Sequence, residues 1–334
     1  MIKLRNWEYW PFGILQFPMF FYYPWLSLRA GSLTFFSASN PGILMGGMFG
    51  ESKSEVLKLV PADLVPKTLF IPKGTDSGRV DSLLHEHQFH YPLIFKPDIG
   101  ERGFMVRRIN NNDDARAYMN EFQHDIIAQE LVDLPLEFAV FYARVPAESM
   151  GRITSIVKKE MLTVQGNGTS TLSELIHSKD RAKLQWPVLR ERFREQLSDI
   201  VPLEKTIELV SIGNHCLGTK FLNANHLIDE KLTESFDKIS KRIPGFYFGR
   251  YDLRCSSIED LREGKIMVME LNGCGAEPAH IYDPQFSFFH AVSVLLQHWK
   301  TIFVIARQNK DSGASYLPLK EAIRHYRIFK QKTR

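Results

Sequence analysis

Carboxylate and amide side chains occur in two short segments of the C-terminal half. Asp252 lies in Arg-Tyr-Asp, and Glu270 and Asn272 lie in Glu-Leu-Asn. In a strand, Glu270 and Asn272 point to the same face because side chains alternate with a period of two. Hard oxygen ligands of this kind suit Mg²⁺. The pattern can place Glu270, Asn272 and a facing Asp252 around one metal site, but a solvated strand face is the favoured interpretation of this motif taken alone.

Two lysines and a glycine-containing loop precede these segments. Lys53 lies in Gly-Glu-Ser-Lys, and Lys96 lies in Phe-Lys-Pro, which is followed by Gly100 and Gly103. Lysines from different elements can neutralise phosphate charge, and glycines let backbone N–H groups approach phosphate oxygens. A surface lysine and an ordinary loop are the common alternatives for each motif taken separately.

A third feature lies between two predicted strands. The sequence Glu130-Leu131-Val132 ends one strand, and Glu137 begins the next. An apolar slot with backbone hydrogen-bonding groups suits an adenine ring, and a carboxylate suits ribose hydroxyls. These residue types suit the binding of a nucleotide.

In this order, the motifs resemble those of the ATP-grasp superfamily, in particular its D-alanine–D-alanine ligase branch. Residues 144–176, with the turn Gly166-Asn167-Gly168, are also similar to the ATP-grasp part of cyanophycin synthetases. The resemblance covers about residues 51–284. It implies an ATP-grasp fold, in which two α+β subdomains grip ATP between them, with a hinge near residues 130–137.

The resemblance also implies a role for each position. Asp252, Glu270 and Asn272 would bind one or two Mg²⁺ ions, with Mn²⁺ as a substitute, and Arg250 would stabilise the charged intermediate. The expected nucleotide contacts are Lys53, Lys96, Gly100, Arg102, Gly103, Glu130, Leu131, Val132, Glu137 and Lys159, for which Lys158 is an alternative.

The implied reaction is the ATP-dependent joining of a small-molecule carboxylate to an amine through an acylphosphate. Residues 273–280 read Gly-Cys-Gly-Ala-Glu-Pro-Ala-His, unlike the Ser-Pro-Gly run of the D-alanine enzymes, so the substrates stay open. Two alternatives remain. One is a nucleotide-binding, membrane-associated module without ligase activity, and the other is an ATP-grasp enzyme with a non-amine acceptor.

The N-terminal segment is rich in aromatic residues. Residues 9–28 carry no charge, and twenty apolar residues are long enough to span a bilayer. However, Pro11, Pro18 and Pro24 should interrupt a helix, and Trp and Tyr prefer the membrane interface. A membrane-surface contact, packing on the protein or on a second subunit, and a spanning helix are the three interpretations. A homodimer is compatible with the second.

Composition limits the remaining choices. The 334 residues carry a net charge of +4 without a dense basic stripe, which argues against nucleic-acid binding. Three widely spaced cysteines indicate reduced thiols and a cytoplasmic protein. A membrane-surface contact would place this protein on the inner face of the membrane.

We expect an aromatic segment with a truncated pre-grasp region at 1–50, an ATP-grasp domain at 51–310, and a basic helix or tail at 311–334.

Alternating strands and helices predict an α+β or α/β fold. The strand expectations are 32–37, 68–71, 93–97, 104–109, 126–132, 137–145, 153–164, 246–253 and 266–271. The helix expectations are 51–60, 113–122, 190–200, 229–243, 287–305 and 319–330, with a further helix opened by a capping box at Thr171 and Glu174.

Overall fold

The computed structural model describes residues 7–101, 103–210, 213 and 218–332, and the fold is α+β, as expected. The helices are α1 Phe12–Gln16, α2 Met19–Ala30, α3 Lys53–Leu59, α4 Ser77–Glu86, α5 Asn112–Glu121, α6 Leu172–Ser178, α7 Asp180–Lys183, α8 Trp186–Arg192, α9 Glu230–Lys241, α10 Ile258–Glu263, α11 Phe288–Asp311 and α12 Leu319–Lys332. The strands are β1 Thr68–Ile71, β2 Leu93–Pro97, β3 Arg107–Ile109, β4 Ile126–Glu130, β5 Leu136–Ala143, β6 Arg152–Glu160, β7 Thr163–Gln165, β8 Thr206–Glu208, β9 Lys220–Asn223, β10 Phe248–Cys255 and β11 Met267–Asn272.

Two antiparallel sheets form the framework of the site. The smaller has the order β1-β4-β2-β3, and the larger has the order β11-β10-β5-β6-β9. Each sheet packs against its own helices around an apolar core. Phe95 of β2 and Tyr118 of α5 are buried in the core of the smaller sheet, and Tyr251 of β10 and Phe236 of α9 are buried in that of the larger. The link between β4 and β5 joins the two sheets.

The N-terminal helices pack beside the long helix α11. Phe35, Phe303 and other buried residues form a shared core there. Pro11 and Pro18 precede α1 and α2, as helix-initiating prolines should. Pro24, in contrast, lies inside α2 without ending it. The helix α11 is long and apolar enough to cross a membrane by composition, a property that core helices of soluble proteins share.

Three of the expected elements are wrong. Residues 32–37 do not form a strand; Phe35–Ser39 is a buried 3-10 helix, in which Ser37 and Ser39 donate their hydroxyls to carbonyls three residues earlier. In the predicted strand 104–109 only Arg107–Ile109 is extended, because a turn with positive φ at Met105 comes before it. The predicted helix 190–200 starts earlier, at Trp186, with a proline in its first turn, and ends at Arg192.

Other local predictions hold. Ser52 caps α3 by accepting from the Glu55 N–H, and the Thr171–Glu174 capping box is present. Both hydroxyl caps satisfy backbone donors that a helix start leaves free. Cys255 and Cys274 are buried free thiols, and Cys216 lies outside the described residues.

Candidate active site

A cleft of about 810 Å³ lies between the two sheets. Residues of the β4–β5 link and of the N-terminal segment are among those that line it. The structure brings together in its lining nearly all the residues singled out from the sequence: Lys53, Lys96, Gly100, Gly103, Glu130, Leu131, Val132, Glu137, Lys159, Arg250, Asp252, Glu270 and Asn272. Arg102 lies outside the described residues.

The strand pair β10–β11 carries the acidic side chains of the cleft. Asp252 is directly opposite Glu270, and Arg250 is opposite Asn272. Asn272 Nδ2 donates to Asp252 Oδ2 at 2.9 Å. Arg250 donates to the same oxygen at 3.0 and 3.1 Å. Burial alone would raise the pKa of Asp252, but Arg250 and Lys159 outweigh it and lower the pKa, so the carboxylate stays ionised.

These donors fit a magnesium ion by their chemistry. Asp252 and Glu270 supply hard carboxylate oxygens, the type of ligand that Mg²⁺ prefers. Because Asn272 Nδ2 faces Asp252, its Oδ1 is the remaining amide group for a cation. Among the described residues no cluster of three or more His, Cys, Asp or Glu side chains forms a metal site. A three-ligand set at this position therefore depends on the Asn272 amide oxygen.

Lys159 and Arg254 hold Glu137 from both sides. Lys159 Nζ lies 3.1 Å from Glu137 Oε1 and 2.8 Å from Asp252 Oδ1, so it joins two buried carboxylates. Arg254 donates to Glu137 Oε2 at 2.9 and 3.0 Å, and to the Val132 carbonyl at 3.0 Å. Both oxygens of the expected ribose ligand are thus already bound to cations.

Arg254 was not expected from the sequence, although a signal was present. Arg250, Asp252 and Arg254 alternate along β10, and a period of two places all three on one face of the strand. Recognising this alternation would have added Arg254 to the predicted site.

Lys96 connects the two sheets across the cleft. Its side chain is buried, and Nζ donates to Gln129 Oε1 at 2.9 Å and to the Met269 carbonyl at 3.1 Å. Lys96 and Gln129 belong to the smaller sheet, whereas Met269 belongs to β11 of the larger one. Burial lowers the pKa of Lys96 to about 8. The role of Gln129 in orienting Lys96 was not expected from the sequence.

Lys53 reaches the glycine loop from the start of α3. Its Nζ donates to the Gly100 carbonyl at 2.5 Å and lies 3.6 Å from Glu270 Oε1. The backbone N–H groups of Lys53 and Ser54 donate to Asp98, which fixes the first turn of α3 at the end of β2. The two ammonium groups of Lys53 and Lys96 therefore enter the cleft from different elements, each beside the strand that carries Glu270.

No family model matches the sequence, and no curated protein is significantly similar to it. Among solved structures, the chain is similar to a bifunctional glutathione synthetase from Pasteurella multocida, with 13% identity, a TM-score of 0.37, and coverage of 73% of this chain and 36% of that one. It is similar to the VanG D-Ala:D-Ser ligase from Enterococcus faecalis, with 15% identity, a TM-score of 0.42, and coverage of 76% and 62%. It is also similar to a D-alanine–D-alanine ligase from Bacillus anthracis, with 13% identity, a TM-score of 0.41, and coverage of 81% and 72%.

The first two of these proteins are considerably longer than the matched part, since the chain spans 36% and 62% of their lengths. At these identities and TM-scores the similarity carries no information on substrate or chemistry. Support for a function therefore comes from the residues of the cleft: two lysines, an acidic strand pair with Asn272, and a buried network around Glu137.

Proposed function

We propose that the chain is an ATP-dependent carboxylate–amine ligase of the ATP-grasp type. The observation that carries the proposal is the meeting, in one cleft, of Lys53 and Lys96 with the Asp252–Glu270–Asn272 set. Cations from two elements suit the phosphates of ATP, and hard oxygens beside them suit the magnesium ion that accompanies ATP. The β4–β5 link, with Glu130, Leu131 and Val132, would contact the adenine.

The proposed reaction has two steps. A substrate carboxylate oxygen attacks the γ-phosphorus of ATP, the bond to the bridging oxygen breaks, and ADP leaves. The neutral amine nitrogen then attacks the carbonyl carbon of the acylphosphate, a C–N bond forms, the C–O bond to phosphate breaks, inorganic phosphate leaves, and the nitrogen releases a proton to water. Such transfers depend on positioning and charge neutralisation.

The residues of the chain would contribute position and charge. Lys53 and Lys96 would bind phosphate oxygens, and Arg250 would face the charge that develops on the intermediate. Lys159 and Arg254 would hold Glu137 in place beside the ribose. A bound Mg²⁺ or Mn²⁺, held by Asp252, Glu270 and Asn272, would neutralise charge on the transferred phosphoryl group.

We propose for the chain the organisation expected from its sequence. An ATP-grasp domain at 51–310, with its hinge near 130–137, follows an aromatic segment at 1–50 and precedes a basic helix or tail at 311–334. The junction of the two sheets at the β4–β5 link supports this position of the hinge.

The test is an assay of products. The protein is incubated with Mg-ATP and pooled carboxylates and amines, ADP and phosphate are quantified, and the condensed product is identified by mass spectrometry. Equal amounts of ADP, phosphate and product are expected for one of the pools. Nucleotide binding without ADP formation in any pool would favour the binding module instead. ADP formation with a phosphorylated or thioester product would favour a non-amine acceptor.

We also propose that the N-terminal segment contacts a membrane surface from the cytoplasmic side. Phe17, Phe20, Phe21 and Leu28 expose 60%, 69%, 69% and 81% of their surface. Exposed aromatic rings of this density suit the lipid interface. Flotation with vesicles of phosphatidylcholine and phosphatidylglycerol tests it, with the Phe17→Ser, Phe20→Ser, Phe21→Ser variant as control. Loss of flotation in the variant is expected. The alternative outcome is a parent protein that does not bind vesicles but is a dimer by light scattering. If the triple variant is then a monomer, the exposed face is a contact with a second copy of the chain.

A further inference from the structure

The cleft continues past Arg250 into a region with aromatic walls. Trp7 packs against Tyr282 with ring centroids 6.1 Å apart, and edge-on against Phe288 at 6.0 Å. Trp7 Nε1 donates to the Phe286 carbonyl at 2.6 Å, which fixes the indole. These three rings line the same cleft as the two lysines.

Glu277 carries a negative charge into this region. Its Oε1 accepts from Gln16 Nε2 at 2.9 Å, and its Oε2 accepts from the Tyr282 hydroxyl at 2.7 Å. Both donors are neutral, so they orient the carboxylate without cancelling its charge. Within the described part of the chain, no Lys, Arg or His nitrogen lies within ion-pair distance of it. Arg250 donates to the main-chain carbonyl of Glu277 at 3.1 Å, and its other contacts are to Asp252.

Glu8, the other carboxylate at this end of the cleft, differs in this respect. Arg181 contacts both of its oxygens, at 3.0 and 2.9 Å, in a two-point ion pair. The charge of Glu8 is therefore balanced by a direct ion pair, whereas Glu277 lines the cleft and has only a longer-range attraction to Arg250. A carboxylate next to aromatic faces is a combination that recognises ammonium groups, by ion pairing and by cation–π attraction.

We propose that Glu277, with the walls formed by Trp7, Tyr282 and Phe288, binds an ammonium group of the acceptor substrate. This inference rests on the proposed ligase function and names the class of that substrate: a diamine, of which one nitrogen binds here as ammonium and the other, in its neutral form, attacks the acylphosphate. An α-amino acid fits this place less well because its own carboxylate would lie beside Glu277.

Direct binding tests the proposal without requiring turnover. The full chain is titrated calorimetrically with 1,5-diaminopentane and with two controls of the same chain length. The first control, 1,5-pentanediol, is uncharged, and the second, pentanoate, carries a negative charge. Binding of the diamine is expected to be at least about tenfold tighter than that of either control. Equal binding of the diol, or tighter binding of pentanoate, would overturn the proposal.

Two variants locate the binding. Glu277→Gln keeps side-chain oxygen and size but removes the charge, and it should weaken diamine binding about tenfold or more. Glu148→Gln, an exposed residue outside the cleft, is the matched control and should bind as the parent does. Unchanged diamine binding in Glu277→Gln would overturn the assignment. ATP binding is measured in parallel: if the parent binds the diamine but not ATP, the ligase proposal fails while the ammonium subsite stands.

Discussion

The Lys159 ammonium group lies 2.8 Å from the Asp252 carboxylate, and both side chains are almost fully buried. The same ammonium contacts Glu137 at 3.1 Å. Burial alone would lower the pKa of Lys159, but the two carboxylates outweigh it and raise the pKa, so the lysine remains charged. One cation thus bridges the proposed metal ligand and the proposed ribose ligand, each of which also contacts an arginine.

Replacing Lys159 should therefore cost stability as well as activity. In Lys159→Met two carboxylates lose a buried partner, and we expect the free energy of unfolding to fall by about 3–5 kcal/mol. Urea unfolding followed by circular dichroism measures it. Lys158→Met, on the exposed side of the same strand, is the control and should change stability by less than about 0.5 kcal/mol. Equal stabilities of the two variants would contradict the role of Lys159.

Removing the charge of Glu270 should abolish turnover without unfolding the protein. Glu270→Gln preserves size but withdraws one proposed metal ligand, and we expect ADP release to fall by about 100-fold or more. The magnesium concentration that gives half-maximal turnover should be higher for this variant than for the parent. The circular dichroism spectrum should match that of the parent, and Glu259→Gln, on the exposed surface of α10, should keep full activity. Full turnover of Glu270→Gln would refute the metal assignment.

Nucleotide binding should weaken as pH rises through the pKa of Lys96. Burial lowers this pKa to about 8, so the side chain is cationic below that pH and neutral above it. Between about pH 7 and about pH 9 the charged fraction falls from about 0.9 to about 0.1, which sets an upper limit of about tenfold on the loss of ATP affinity. Fluorescence titration with an ATP analogue measures it. In Lys96→Arg the charge persists, and the pH dependence should disappear; an unchanged profile would assign the effect to another group.

Arg254 should act on the binding of ATP more than on the chemical step. Arg254 donates hydrogen bonds to both Glu137 and the Val132 carbonyl. Arg254→Met therefore removes bonds that position the proposed ribose ligand and the β4–β5 link. We expect the KM for ATP to rise about tenfold, which corresponds to about 1.4 kcal/mol, with little change in kcat. Steady-state kinetics with varied ATP provide the measurement, and Arg152→Gln, an exposed residue at the start of β6, is the control. A fall in kcat at constant KM would place Arg254 in the chemical step instead.

Much of the site could be predicted because it depends on local periodicity. Glu270 and Asn272 share a face by strand alternation, and their pairing with β10 brings Asp252 opposite. The glycine loop was less accessible: positive φ at Gly103 and Met105 bends the chain where the apolar pattern suggested a continuous strand. A methionine with positive φ is uncommon, and no sequence pattern predicts it.

Long-range contacts explain what the sequence did not reveal. Glu277 is oriented by Gln16, 261 positions earlier in the chain. The apolar run at 32–37 suggested a strand, but the segment packs mainly against helix α11 and forms a 3-10 helix with local hydrogen bonds. In both cases the deciding partner is distant in sequence, and only the tertiary fold identifies it.

The contact of Lys96 with the Met269 carbonyl has a consequence for movement. It is a hydrogen bond between the two sheets, beside a longer one of 3.5 Å from Gln129 to the same carbonyl, and it uses the group proposed to bind phosphate. A nucleotide that attracts this ammonium competes with Met269 for it. Ligand binding and the angle between the sheets are then coupled in free energy, so a mutation that opens the cleft would alter affinity for ATP without touching it.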